Sequence, residues 1–109
     1  MFIVSVGGLE VVGPLNLFRF FKLALSQRKV AMEAEGNLSV DLFRHGRVFY
    51  VASVWRSEDE MRAFAQSGEH GEIMRNGLPL IKSSKTISYS ATTLPTRAEV
   101  VARWKKETE

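Results

Sequence analysis

The stretch from Arg47 to Trp55 is apolar on both of its faces. Val48, Tyr50, Ala52 and Val54 alternate with Phe49, Val51, Ser53 and Trp55, at the period of two that a strand imposes. A strand with two apolar faces must be covered on both. Any fold for this chain therefore has to supply packing on each side of that strand. The segment before it, Leu38 to Arg44, alternates in the ordinary one-sided way: Leu38, Val40 and Leu42 against Ser39, Asp41 and Phe43. His45-Gly46 between the two predicts a hairpin turn, though a weaker one than Asn-Gly. Asp41 and Arg44 are expected to form a surface pair across the hairpin, and His45 to be solvated at its tip.

The remaining segments punctuate themselves. Met1 to Val6 predicts a strand that closes at Gly7-Gly8, with Leu9 to Gly13 an irregular connection. From Pro14 to about Glu35 the period becomes helical. Polar residues recur at Asn16, Arg19, Lys22, Ser26 and Lys29, one narrow stripe. Leu15, Leu17, Phe18, Phe20, Phe21, Leu23 and Ala24 fill most of the rest. A helix lying on one sheet needs an apolar stripe only about 100° wide, so this one has to bury a second side against a subunit, a ligand or another helix. Gly36 stops it. Ser57-Glu58-Asp59-Glu60 is a capping box, and its acids suit a helix N-terminus. Met61, Phe64 and Ala65 mark the buried face of that helix. Gly68 breaks or bends it, and Glu69 to Arg75 resumes helical spacing with His70, Ile73 and Met74 on one side. Asn76-Gly77 and Pro79 predict a loop. Lys85 to Ser90 alternates as a last strand. Thr96-Arg97-Ala98-Glu99 opens a terminal helix over about 96–107, docked by Trp104.

The chain has 109 residues, 45% apolar and 25% charged, which fits one ordinary globular domain over 1–109. It contains no Cys, which excludes disulfides, thiol nucleophiles and thiolate zinc sites. With only two His, an all-His metal site within one chain is not expected. The net charge of +3 is spread along the sequence, unlike the basic face of a nucleic-acid binder. No apolar run approaches the ~20 residues of a membrane span, and the start lacks the pattern of a signal peptide. A cytoplasmic protein without membrane insertion is expected.

The order β-α-β-β-α-β plus a terminal helix is the ferredoxin-like arrangement of the α+β class. It places both main helices on one face of an antiparallel sheet. The other face would be bare, exposing Ile3, Val51, Trp55 and others. Packing two such sheets face to face would cover them, so the expectation is a homodimer built as a dimeric α/β barrel.

The run Val54-Trp55-Arg56-Ser57-Glu58-Asp59-Glu60-Met61-Arg62-Ala63-Phe64-Ala65, followed by Ser67-Gly68-Glu69-His70, resembles the dimeric α/β-barrel superfamily. The spheroidene monooxygenase-like branch is similar in Phe20-Phe21, in Met61 to Phe64 and in the Ser-Gly-x-His-Gly-x-x-Met run from Ser67 to Met74. More distant similarity is to antibiotic-biosynthesis monooxygenases and haem-degrading monooxygenases. The resemblance implies a small homodimer with a pocket between sheet and helices in each protomer. It also implies monooxygenase-like chemistry, without a cofactor or with haem. Haem-degrading members use an Asn on the first strand, a Trp in the second helix and a His near its end. Here those positions hold Ser5, Phe64 and Met74, so any haem would need another axial ligand, for which His70 is the candidate.

Each candidate residue has a functional and a packing reading. His70 is the candidate acid, base or haem ligand; otherwise it packs beside Met74. Trp55 orients a flat substrate or is simply core. Phe18, Phe21, Leu25, Met61 and Phe64 line a cavity for an aromatic, polyene or tetrapyrrole ligand, or they are core. Tyr50 and Tyr89 donate to a bound carbonyl, or reach solvent. Two functions follow: a small monooxygenase-like enzyme, or a non-catalytic module for a hydrophobic ligand. They divide on whether His70 converges with Tyr50, Tyr89 or Asp41 on one cavity.

Overall fold

The computed structural model describes residues 1–11, 13, 16–67, 71, 75 and 81–108, with backbone alone at 81 and 82. The two-faced strand is β3 (Val48–Trp55), and it lies inside the sheet. On one side it pairs with β2 (Asn37–His45) through the predicted hairpin. Gly46 in that turn has φ +64°, the left-handed region open to glycine. On its other side β3 pairs with β1 (Phe2–Val11), which in turn pairs with β4 (Ile81–Ala91). All three pairings are antiparallel and the order is β2-β3-β1-β4.

Three described helices complete the fold: α1 (Asn16–Glu33), α2 (Glu58–Ala65) and α3 (Arg97–Thr108). The element order is therefore the expected β-α-β-β-α-β with an extra terminal helix. The helices divide between the two faces. Phe20 of α1 meets Phe49 with ring centroids 5.0 Å apart, and Phe64 of α2 meets Trp55 at 5.2 Å. Both strand residues are odd-numbered in β3, so α1 and α2 share one face. The even-numbered residues Val4, Val6, Tyr50, Ala52 and Val54 form the other core with Val100 and Val101 of α3.

This division overturns the expected barrel. β2 and β4 are the two edges of an open sheet, which is not closed on itself. The physical reason is α3: the face expected to be bare is covered by the chain's own terminal helix. The residues named for that bare face lie on the other one. Ile3 pairs with Trp55 on the α1–α2 side, and Trp55 is fully buried there.

β1 also runs further than predicted, straight through Gly7 and Gly8 to Val11. The two glycines pair with Val51 and Tyr50 as regular strand residues. Gly8 answers to packing: a Cβ there would lie 2.4 Å from the Trp104 ring. The Trp104 indole sits over that bare backbone, and its Nε1 donates to the Lys85 carbonyl at 2.9 Å. It is the docking anchor the sequence predicts. β4 likewise begins earlier than Lys85.

Candidate functional site

The corner from β3 into α2 is fixed by a network the sequence announces. The Ser57 hydroxyl accepts from the Glu60 backbone N–H at 3.2 Å and donates to the Glu60 carboxylate at 2.8 Å. Arg56 donates to the same carboxylate through Nε at 3.0 Å and through Nη2. Its guanidinium, then the Ser57 hydroxyl, hold the Glu60 carboxyl below the usual glutamate range. The resulting carboxylate is ionised near neutrality and already engaged, so it is a poor general base. It fixes the turn instead. Gly36 has φ +85°, and a Cβ on it would collide with Glu60. The Gly36 carbonyl accepts from the Arg56 N–H at 2.8 Å.

Past this corner, the α1–α2 side of the sheet carries an unexpected polar row. Ser53 stands opposite Ser5, and Ser5 stands opposite Ser88, so three hydroxyls cross β3, β1 and β4 on one face. Directly opposed strand residues have Cβ atoms about 5 Å apart. On one flank the row is bordered by Trp55, Ile3 and Ser90; on the other, by Val51, Gly7 and Thr86. Ser5 and Ser53 are half-buried, Ser88 is exposed, and Gly7 leaves a gap in the side-chain layer. The Trp55 Nε1 donates to the Ser53 hydroxyl at 2.9 Å, which fixes the indole plane against Phe64. Hydroxyls there can donate to or accept from a ligand oxygen. Among the described residues this face of the sheet presents no His, Asp or Glu.

The α3 side is built differently. Tyr50 is 1% exposed, stacked on Phe43 at 5.2 Å and met edge-on by Trp104 at 5.3 Å. Burial pushes its phenol above the ordinary tyrosine range, and its hydroxyl finds no hydrogen-bond partner among the described residues. Tyr89 is half-buried under the Arg103 guanidinium at 4.5 Å. Burial leads the causes that raise its phenol too. Asp41 takes two hydrogen bonds from Arg97 of α3, both 2.8 Å, and is not the partner of Arg44 as expected. Arg44 donates instead to the Gly46 carbonyl and lies over Phe49. A cleft of about 150 Å³ opens beside Trp104, between Gly8, Glu10, Val48 and Lys85. Ligand pockets for drug-sized molecules run to roughly 300–1,000 Å³, so this cleft suits only a small group.

The candidate residues thus fall into three places. Trp55 and Phe64 meet on the α1–α2 side, and Met61 is half-buried one turn before Phe64 on α2. Tyr50 and Tyr89 lie across the sheet beneath α3, together with Asp41. Phe18, Phe21 and Leu25 point outward from α1, exposed. His70 and Met74, the candidate catalytic residue and its neighbour, lie outside the described residues, as do the predicted breaker Gly68 and the loop from Asn76 to Pro79. Among the described residues, no cluster of three or more His, Asp or Glu could hold a metal ion. The Ser5–Ser53–Ser88 row was not singled out from sequence. Its signal is the hydroxyl at every second position of β4 (Ser84, Thr86, Ser88, Ser90), which becomes a row only when the register aligns Ser5 and Ser53 with it.

A fold of this topology, with two helices on one sheet face and a terminal helix on the other, defines a small ferredoxin-like α+β protein. The chain belongs to the antibiotic biosynthesis monooxygenase family, whose model matches residues 20–76, more than half of it. No curated protein matches it. Among solved structures, it is similar to a conserved protein from Methanosarcina mazei Go1, at 17% identity over 84% of this chain and 94% of that one, with a TM-score of 0.77. It is similar to SnoaB, a cofactor-independent oxygenase from Streptomyces nogalater, at 17% identity over 87% and 98%, with a TM-score of 0.75. Rv0793 from Mycobacterium tuberculosis matches at 11% identity over 88% and 100%, with a TM-score of 0.77. Likeness at these identities establishes the fold. In addition, no described helix is long and apolar enough to cross a membrane.

Proposed function

We propose that this protein is a cofactor-independent monooxygenase for an aromatic or polyene substrate laid against the α1–α2 side of the sheet. The carrying observation is the Ser88–Ser5–Ser53 row, running from an exposed hydroxyl at β4 to the half-buried Ser53 that holds the buried Trp55. Family membership and the likeness to a cofactor-independent oxygenase support the reading. In such a reaction the substrate supplies the electrons. An activated methylene loses a proton, the carbanion reduces oxygen, and R₂CH₂ + O₂ gives R₂C=O + H₂O. The protein's share is to exclude water, to hold the substrate oxygen on Ser5, Ser53 and Ser88, and to take the proton. We assign that proton to His70, because the described sheet face offers hydroxyls but no base.

Oxygen uptake with 1,8-dihydroxyanthrone as probe tests this. One O₂ should be consumed per probe with no added flavin, nicotinamide or metal. His70→Ala should slow it by about a hundredfold, the usual contribution of a positioned acid–base group. A rate equal to the probe's own autoxidation would sink the enzyme reading. Haem held by His70 is checked in parallel by titrating with haemin and looking for a Soret shift that the same variant loses.

The second reading, a non-catalytic binder of hydrophobic molecules, is favoured by that same lack of an acid or base among the described groups of the sheet face. It predicts quenching of Trp55 fluorescence by the probe with no oxygen consumed. In either case the proposal includes a homodimer through the outer edge of β4, an eleven-residue strand that pairs only with β1 among the described residues. Such free edges are templates for a second chain. Sedimentation equilibrium showing a monomer would remove it.

A further inference from the structure

Helix α1 turns an apolar stripe outward. Phe18, Phe21, Leu25 and Met32 are 84, 55, 49 and 53% exposed. At 3.6 residues per turn the four fall within an arc of about 60°. Four cations flank them. Arg28 lies on one side; Lys22, Lys29 and, further round, Arg19 lie on the other, all exposed. Glu33 is the helix's only acidic side chain. Among the described residues none of the four cations is in an ion pair.

This combination selects its occupant by charge. A second copy meeting the stripe around Leu25 would set Lys22 of each helix against Lys29 of the other, a repulsive arrangement in a two-fold pair. An anionic lipid surface matches the stripe and all four cations, with Glu33 set apart at the last residue of the helix. A helix with an apolar stripe and basic flanks lies in the plane of the headgroups, its apolar side chains entering the acyl boundary. Lys and Arg stems snorkel so that their charges stay among acidic headgroups. We propose that the protein docks peripherally on anionic membranes through α1, with Phe18, Phe21, Leu25 and Met32 in the lipid boundary. Docking there would present the α1–α2 side of the sheet near the lipid, a source of apolar molecules. The docking itself stands without the oxygenase reading.

Co-sedimentation of the intact protein with vesicles tests it. Vesicles of phosphatidylcholine with about 30% phosphatidylserine should bind the protein at about 0.05 M KCl. Binding should fall at least about tenfold on pure phosphatidylcholine and at about 0.5 M KCl, where charges are screened within about 4 Å. Phe18→Ser with Phe21→Ser should abolish it. Lys22→Gln with Lys29→Gln should weaken it by about thirtyfold. These side chains are exposed, so circular dichroism should be unchanged; if the first pair unfolds, the second carries the test alone. Three results would overturn the proposal: no binding to anionic vesicles, binding indifferent to both variant pairs, or stripe variants that split a dimer while vesicles bind nothing.

Discussion

The two sides of the sheet bury similar aromatic groups but finish them in different ways. Beneath α3, Tyr50, Phe43 and Trp104 pack ring against ring, and Arg97 and Arg103 lie over Phe43 and Tyr89 as cationic lids. Arg97 also grips Asp41, and Lys85 reaches the Thr108 carbonyl at 3.1 Å. That side is covered by one short helix using both its apolar and its charged residues, apart from the cleft of about 150 Å³ beside Trp104. Across the sheet, among the described residues, Phe64 meets Trp55 and Phe20 meets Phe49 on β3, while Ser5 is half-buried and Ser88 exposed. The α3 side is closed by ring packing; the other side leaves its strand hydroxyls half-buried or exposed.

The largest test of that contrast is to empty each side of its tryptophan. Trp55→Ala removes a fully buried indole and orphans the Ser53 hydroxyl, and should destabilise by about 3–5 kcal/mol. Trp104→Ala removes a half-buried ring over Gly8 and should cost about 2 kcal/mol, below the range for full burial. Urea midpoints read both. If Trp104 proved the costlier loss, α3 and not the Trp55 corner would be the foundation of the fold.

Legibility in the sequence follows the same line. The local devices were readable because they act over a few residues: the Ser57 and Thr96 capping boxes, the Gly46 turn and the Trp104 anchor. The two-faced pattern of β3 correctly demanded cover on both sides. What it could not say was who supplies it. A terminal helix of this length looks too weak to cover a sheet face when read alone, since Arg97, Arg103 and Trp104 find their partners only after β2, β4 and Gly8 have been placed. The expected barrel covers a face that α3 of the same chain already covers. The site divided likewise. Trp55, Met61 and Phe64 sit on neighbouring elements and could be grouped. Tyr50 and Tyr89 are assigned to the opposite face by parity, which an error of one residue in register would reverse. Ser5, Ser53 and Ser88 are far apart in sequence and meet only through two strand pairings.

A smaller effect, of opposite sign, comes from the α3 side. The Tyr50 hydroxyl is buried and without a partner among the described residues. An unsatisfied buried donor costs about 1–3 kcal/mol, whereas its apolar isostere carries no such penalty. Tyr50→Phe should keep both ring contacts and raise stability by about 1 kcal/mol. Ser53→Ala on the half-open side should lower it, because it strands the Trp55 N–H. Opposite signs from two hydroxyl deletions on one strand would confirm that the Ser53 hydroxyl has a partner in the fold and the Tyr50 hydroxyl has none. A loss in Tyr50→Phe would show that the phenol has found a partner, and would reopen its role as a donor to a ligand.

The finest distinction is in acid. Glu60 is held by Arg56 and Ser57, and its folded pKa lies below the ordinary glutamate value. A depressed carboxyl contributes stability that is fully present above the unfolded pKa and is lost as pH falls through the folded one. Glu60→Gln should therefore be less stable than the wild type near neutral pH. The gap should narrow as pH drops below about 4.3, the ordinary glutamate pKa, and vanish below the folded value. Salt separates this pair from its counterpart under α3. The Glu60 side chain is 20% exposed in its pair, against 42% for Asp41 with Arg97. Exposed pairs are the more strongly screened. Raising KCl should erase the effect of Asp41→Asn before that of Glu60→Gln. The reverse order would mean that the α3 clasp, not the β3–α2 corner, is the better shielded of the two.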